Sequence, residues 1–100
     1  MKELLQVVEA KYLHDYTIHL KFNTNEEVDL DLLPMIEEDK IGIFKPLKQL
    51  NYFSKFYIDH TLCWGDDIDV APEYLFFLAH KNNARYRNLF IQWGYIQISK

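Results

Sequence analysis

Cysteine and histidine are the side chains of this sequence best suited to nucleophilic or acid–base chemistry near neutral pH. Cys63 is the single cysteine, and His60 precedes it by three positions. A thiol nucleophile needs a base within hydrogen-bond reach and a third group that orients the base. Because residues three apart on a strand point to opposite faces of a sheet, we expect Cys63 to be a small packed residue beside Trp64.

Side chains that ligate metals occur close together early in the chain, at His14, Asp15 and His19. Histidine is the commonest protein ligand of transition metals. His14 and Asp15 are predicted to form a hairpin turn, so that His19 lies several residues along the returning strand. A structural zinc site needs four tetrahedral ligands at characteristic spacing, and we expect no metal here.

The acidic run of Asp66, Asp67 and Asp69 offers the oxygen ligands that calcium prefers. It lacks the alternating spacing that leads through a glycine to a distal glutamate. Asp69 stands shortly before Pro72, where a helix is predicted to begin, so its carboxylate is a candidate helix cap. We expect capping and not calcium binding.

A second acidic group, Glu27, Asp29 and Asp31, alternates with Val28 and Leu30. The three carboxylates share one face of a predicted strand, where adjacent acids can raise one another's pKa for acid–base catalysis. An exposed acidic row is more often simply solvated, and its like charges discourage pairing between sheet edges. We interpret this row as a candidate partner surface.

The last part of the chain interleaves cations with aromatic rings. The residues concerned are Lys81, Arg85, Tyr86, Arg87, Phe90, Trp93 and Tyr95. Cations and stacking faces together are typical of single-stranded nucleic-acid sites. A final strand that completes the sheet and a protein-docking segment are the two alternatives. The chain carries a net charge of −4, which disfavours nucleic acid because such proteins normally have a basic field.

Charge divides the chain sharply. All fifteen acidic residues lie at or before Glu73, and with seven lysines they give residues 1–79 a charge of −8, whereas residues 80–100 carry +4. Glycine-rich phosphate loops and the Gly-x-Ser-x-Gly and His-Glu-x-x-His motifs do not occur. We therefore predict no enzymatic activity, no catalytic residue and no cofactor.

Length and composition favour one soluble domain. The chain has 100 residues, of which 49 % are hydrophobic and 26 % charged, enough apolar surface for a single core. No apolar run approaches the roughly 18 residues of a membrane span, and no signal peptide is recognisable at the N-terminus. A lone cysteine is typical of a reducing compartment. We expect a cytoplasmic protein without membrane contact.

Hydropathy periods predict an α+β fold. Residues 16–22 alternate apolar and polar and form a hairpin with residues 8–12, and a third strand over residues 28–32 ends at Pro34. The inward face is predicted to contain Tyr16, Ile18, Leu20, Phe22, Val28 and Leu30, covered by Leu47 and Phe53, with Thr17, His19 and Lys21 facing outward.

The second half is predicted to hold two short helices and another hairpin. One helix covers about residues 46–54, after a loop or frayed helical turn at 35–42, and the other begins at Pro72 and ends at Asn82 and Asn83. The hairpin joins Phe56 and Ile58 to Leu62 and Trp64, and we expect Trp64 to pack on the second helix. Residues 88–99 are predicted to form one strand or a hairpin. We define the domain as residues 1–80, with a basic aromatic extension at 81–100 packed on it.

One combination of residues is more specific than any of its parts. It comprises Leu20-x-Phe22, Asp29-x-Asp31, Gly42-x-Phe44-x-Pro46-Leu47, Phe53, Trp64 and Asp69-Val70-Ala71-Pro72-Glu73-Tyr74-Leu75. Over about residues 5–79 the chain thereby resembles the bacterial domain-of-unknown-function 2442 family. The resemblance implies a small antiparallel sheet with short helices and no established activity. It also implies a neighbouring small protein of the domain-of-unknown-function 4160 type, in gene pairs that look like toxin–antitoxin operons. Some relatives carry an added helix-turn-helix domain, which this sequence lacks.

These observations lead to one functional hypothesis and one alternative. We expect a non-enzymatic protein-interaction module, the antitoxin-like or regulatory member of a two-protein system or a homodimer in which the acidic row faces the basic tail. The alternative is nucleic-acid binding through the tail. The candidate interaction surface comprises Glu27, Asp29, Asp31, Arg85, Arg87, Phe90 and Trp93.

Overall fold

The structure is a computed structural model that describes residues 4–96. This part of the chain contains two three-stranded antiparallel sheets and four short α-helices. The first sheet contains β1 (Val7–His14), β2 (Thr17–Phe22) and β3 (Glu27–Asp31), in that order. The second contains β4 (Tyr57–Ile58), β5 (Leu62–Trp64) and β6 (Ile68–Val70). The helices are α1 (Leu33–Glu37), α2 (Leu50–Phe53), α3 (Pro72–His80) and α4 (Arg87–Gln92), with 3₁₀ turns at Lys45–Lys48 and Ala84–Tyr86. The predicted α+β class is confirmed.

The first sheet has the predicted register. Ile18, Leu20 and Phe22 are fully buried, and Ile18 pairs with Leu30 across β2 and β3. The polar residues between them lie on the opposite, partly exposed face. Asp15, in the turn before β2, has a φ of 45°, a left-handed conformation that Asp and Asn tolerate better than other side chains do.

The second sheet contains a strand that the sequence did not reveal. β6 pairs with β5 and places Ile68 and Val70 inside, with Asp69 exposed between them. The prediction that Asp69 caps the following helix is wrong. Ala71 is the residue at the start of α3, and no side chain caps that end, because Asp69 belongs to the strand and pairs with Cys63.

Proline positions divide the middle of the chain into short helical pieces. Pro34 starts α1 where a loop or frayed turn was predicted, and Met35 and Ile36 of that helix are buried. The single helix predicted over 46–54 is two pieces, a 3₁₀ turn followed by α2. Gln49 separates them because its backbone is extended, with φ −81° and ψ 111°.

Trp64 lies fully buried. Its indole ring stacks on Phe53 of α2 with ring centroids 5.7 Å apart, and its Nε1 donates a hydrogen bond to the Phe53 carbonyl oxygen at 2.7 Å. The ring stacking and the hydrogen bond of Trp64 are to α2, and Trp64 shares the buried core with Leu75 and Phe76 of α3, the helix on which it was predicted to pack. An indole is tolerated in a core when its N–H finds such an acceptor.

The C-terminal segment is helical between residues 84 and 92, so the prediction of an extra strand or hairpin is wrong for this part. Tyr86, Phe90 and Trp93 are spaced four and three residues apart, which aligns them on one side of a helix. Phe90 is fully buried and meets Phe77 of α3 edge to face at 5.1 Å. This burial outweighs the β propensity of the segment. Residues 97–99 of the predicted strand lie outside the described residues.

Candidate interaction surface

A surface hollow of about 540 Å³ lies between the loop of residues 38–44 and the start of α3. Its apolar side chains come from α1, β6, α3, the loop and the C-terminal segment, and charged side chains stand at its border. The lining residues are Met35, Glu38, Asp39, Lys40, Ile41, Phe44, Asp69, Val70, Ala71, Tyr74 and Tyr95. Five parts of the chain therefore build one concave surface.

The loop beside the hollow is held in a defined shape by Asp39. One carboxylate oxygen accepts a hydrogen bond from the Ile41 amide at 3.3 Å, and the other accepts one from the Phe44 amide at 2.7 Å. Gly42 has a φ of 88°, a conformation that glycine adopts without steric cost. These contacts satisfy backbone donors that the loop would otherwise leave to solvent.

The same loop exposes two large apolar side chains. Ile41 is 84 % exposed and Ile43 is 52 % exposed, although Phe44 is partly buried. Ile41 also lines the hollow, so its side chain is continuous with the apolar floor. An isolated exposed isoleucine is ordinary on a protein surface, but apolar side chains that adjoin a concave apolar site indicate binding. We name Ile41, Ile43 and the hollow the docking patch.

Two tyrosines on the far side of the hollow remain neutral at physiological pH. Burial raises the pKa of the Tyr74 hydroxyl, and the negative charge of Glu38 raises it further. Burial is also the main cause of a raised pKa at Tyr95, whose ring stacks on Phe77 with centroids 5.0 Å apart. The hollow therefore presents phenol groups that can donate or accept hydrogen bonds.

The predicted acidic row is largely engaged within the chain. His19 sits across from it, with Nδ1 2.6 Å from an Asp29 oxygen and Nε2 2.8 Å from a Glu27 oxygen. The hydrogen bonds to Asp29 and then to Glu27 raise the pKa of His19. Asp31 accepts a hydrogen bond from the Leu33 amide at the start of α1. The register of β2 against β3, which follows from the short turn between them, already implied the His19–Asp29 pair.

The predicted tail surface divides in two. Arg85 and Arg87 are exposed, whereas Phe90 is fully buried and belongs to the core. Trp93 is partly buried against Phe90, with ring centroids 5.8 Å apart. Of the four predicted tail residues, only the two arginines are well exposed.

The tail is tied to the first sheet at the turn just before the acidic row. The Tyr86 hydroxyl donates to the Glu26 carboxylate and lies 2.9 Å from both of its oxygens. Burial and this hydrogen bond raise the pKa of Tyr86. His80 Nε2 lies 3.3 Å from one Glu26 oxygen, without hydrogen-bond geometry.

The residues considered for nucleophilic chemistry lie apart. Cys63 is buried, and burial is the main reason why its thiol pKa is raised. His60 is exposed in the turn between β4 and β5, where its Nε2 lies 3.8 Å from Asp59. The Cys63 thiol donates its hydrogen bond to the Thr61 carbonyl oxygen at 3.6 Å and not to His60.

The part of the chain that the structure describes contains neither a cluster of metal-ligating side chains nor a membrane-spanning helix. Between residues 4 and 96, no three His, Cys, Asp or Glu side chains are grouped so that they could hold a metal ion. None of the helices in that range combines the length and the apolar character needed to cross a bilayer.

Sequence reasoning missed the docking patch. The available signal was the triplet Ile41-Gly42-Ile43 directly after a charged run. Apolar side chains in a solvated loop indicate either a return to the core or a surface used by a partner. The structure shows that Ile41 and Ile43 do not return to the core.

Comparison with known proteins relates this chain to a protein family. Residues 7–81 match a family model described as a protein of unknown function (DUF2442). No curated protein matches the chain, and no solved structure does. The match covers three quarters of the chain and includes the docking-patch loop, the second sheet and α3, and the chain therefore belongs to the DUF2442 family.

Proposed function

We propose that this protein is a non-enzymatic interaction module that binds a protein partner through the docking patch. The observation that supports this proposal is the 84 % exposure of Ile41 on a loop whose shape Asp39 fixes. Burying an isoleucine side chain contributes about 1.5–3 kcal/mol. Ile41 is exposed in the single chain and therefore does not contribute this free energy to folding. A partner that covers Ile41 would gain it on binding.

The geometry of the patch is typical of an interaction hot spot. A few well-packed apolar or aromatic side chains near the centre of an interface carry most of its binding energy. Ile41 lines a hollow that also contains Tyr74 and Tyr95, and Ile43 is exposed on the same loop. Because Asp39 holds the loop, little conformational entropy is lost when the partner binds.

The specific biological form of the proposal follows from the family resemblance. The partner would be a small protein of the domain-of-unknown-function 4160 type, and this chain the antitoxin-like or regulatory member of the pair. A homodimer is the competing arrangement, in which two docking patches face each other across a two-fold axis.

Nucleic-acid binding through the tail is the less favoured alternative. Single-stranded nucleic acid binds by stacking its bases on exposed aromatic faces. Phe90 is buried, and the Tyr86 ring packs edge to face on Phe76 at 5.1 Å. The Arg85 guanidinium lies 5.4 Å from the centre of the Tyr86 ring. The rings of Phe90 and Tyr86 are therefore already engaged within the chain.

Affinity purification from the native cell tests the proposal. A tagged chain carrying Ile41→Asp and Ile43→Asp is compared with the wild type and with Val8→Asp, a control at another exposed apolar side chain (43 % exposed) that does not line the hollow. We expect the wild type and the control to retain the same partner and the double variant to lose it, with thermal unfolding unchanged. Equal retention by the double variant would contradict the proposal.

A further inference from the structure

The border of the hollow is predominantly acidic. Glu38, Asp39 and Asp69 stand there with a single cation, Lys40. The Asp39 carboxylate is committed to two loop amides. Glu38 and Asp69 are exposed on the border, where they can meet charges on a ligand without being fully desolvated.

The floor of the same hollow is apolar and well packed. Met35 is 5 % exposed and Val70 is 2 % exposed, so these side chains form a fixed surface. A volume of about 540 Å³ lies within the range of roughly 300–1,000 Å³ that is usual for ligand sites. The hollow is large enough for a few side chains and too small for a domain.

We propose that the docking patch binds a segment of the partner that inserts a large apolar side chain into the hollow and places lysine or arginine beside it. This inference rests on the proposed function and adds the chemistry of the partner. An apolar floor selects the central side chain, and Glu38 and Asp69, which are exposed where they line the hollow, select cations beside it. The net charge of −4 on the chain steers a basic segment toward the protein and disfavours an acidic one.

A library of short random peptides displayed on phage provides the probe. The immobilised full-length protein selects peptides, which are then synthesised and measured by fluorescence anisotropy at about 50 and about 500 mM NaCl, since salt screens exposed charge pairs. We expect the selected peptides to combine one large apolar residue with lysine or arginine, and to bind more weakly at the higher salt.

Two pairs of charge reversals test the acidic border. The double variant Glu38→Lys and Asp69→Lys should bind the selected peptides about tenfold more weakly. Each substitution turns one exposed attractive charge pair into a repulsive one, and the two effects add. Asp66→Lys with Asp67→Lys changes the net charge equally at a turn that does not line the hollow, and we expect a much smaller effect. Equal effects of the two pairs would overturn the inference, because binding would then depend on net charge alone.

The remaining outcomes separate this inference from the proposed function. Peptides that need Ile41 but carry acidic or uncharged residues would overturn the inference and leave the proposed function standing. If none of the selected peptides bound the Ile41→Asp variant more weakly than the wild type, both the inference and the proposed function would be overturned. If the protein dimerised without any partner and Ile41→Asp abolished the dimer, the inference would be overturned, because a second copy of the chain would then occupy the docking patch.

Discussion

The C-terminal segment and the loop of residues 38–44 both contain large apolar side chains outside the predicted core, and the fold treats them in opposite ways. The segment buries Phe90 completely and packs its other rings on α3. The loop exposes Ile41 and Ile43 although its backbone is well held. Aromatic content therefore does not identify a partner surface. The proposed partner surface rests instead on an apolar side chain that the chain leaves unpacked beside a concave apolar site.

The largest expected effect is on folding, at Phe90. Replacement by alanine removes a fully buried ring that contacts Phe76 and Phe77. We expect a loss of about 3–5 kcal/mol in the free energy of unfolding, measured by urea denaturation. Ile41→Ala is the matched control and should change stability by less than about 0.5 kcal/mol. Similar losses in the two variants would mean that the segment and the loop do not differ as described.

A smaller effect is expected where the segment meets the first sheet. Tyr86→Phe keeps the ring and removes the hydroxyl that donates to Glu26. A hydrogen bond to a charged acceptor that stays partly in water contributes about 1 kcal/mol. Glu26→Gln keeps an acceptor and should lose less. If Tyr86→Phe were as stable as the wild type in urea, the contact would not hold the segment.

The smallest effect concerns the pH dependence of stability. Hydrogen bonds to Asp29 and Glu27 raise the pKa of His19 above its ordinary value of 6.5. Because the pKa of His19 is higher in the folded than in the unfolded state, protonated His19 stabilises the fold fully below its unfolded-state pKa. This stabilisation is lost as the pH rises through its folded-state pKa. His19→Gln should therefore be less stable than the wild type at pH 5 to 6, and the difference should shrink toward pH 8. The difference in stability should be small because the side chains of His19, Glu27 and Asp29 are partly exposed to solvent, which screens their charges. Parallel pH profiles for the two proteins would show that the pairing does not stabilise the fold.

Local periodicity predicted the first sheet because residues 16–22 alternate over three full repeats. β6 was missed because three residues are too few to establish a period. The C-terminal segment was assigned as a strand from its composition, although the positions of Tyr86, Phe90 and Trp93 fit a helix. Spacing was the better guide there, because it reflects which side chains share a surface.

The candidate site was less accessible to prediction than the fold. The acidic row was recognised, but its engagement by His19 depends on the pairing of β2 with β3. The exposure of Ile41 depends on how α1, β6 and α3 pack around the loop. The packing around Ile41 joins residues far apart in the chain, and no local pattern specifies it.

Site-specific photocrosslinking compares the two regions most directly. A photoreactive phenylalanine analogue is placed at position 41 in one protein and at position 87, an exposed site in the C-terminal segment, in another. Both are irradiated in the native cell, and the adducts are identified by mass spectrometry. We predict that position 41 forms an adduct with the same partner that the wild type retains on purification, and that position 87 does not. The reverse pattern, with the partner attached at 87 and not at 41, would contradict the assignment of the docking patch as the binding surface.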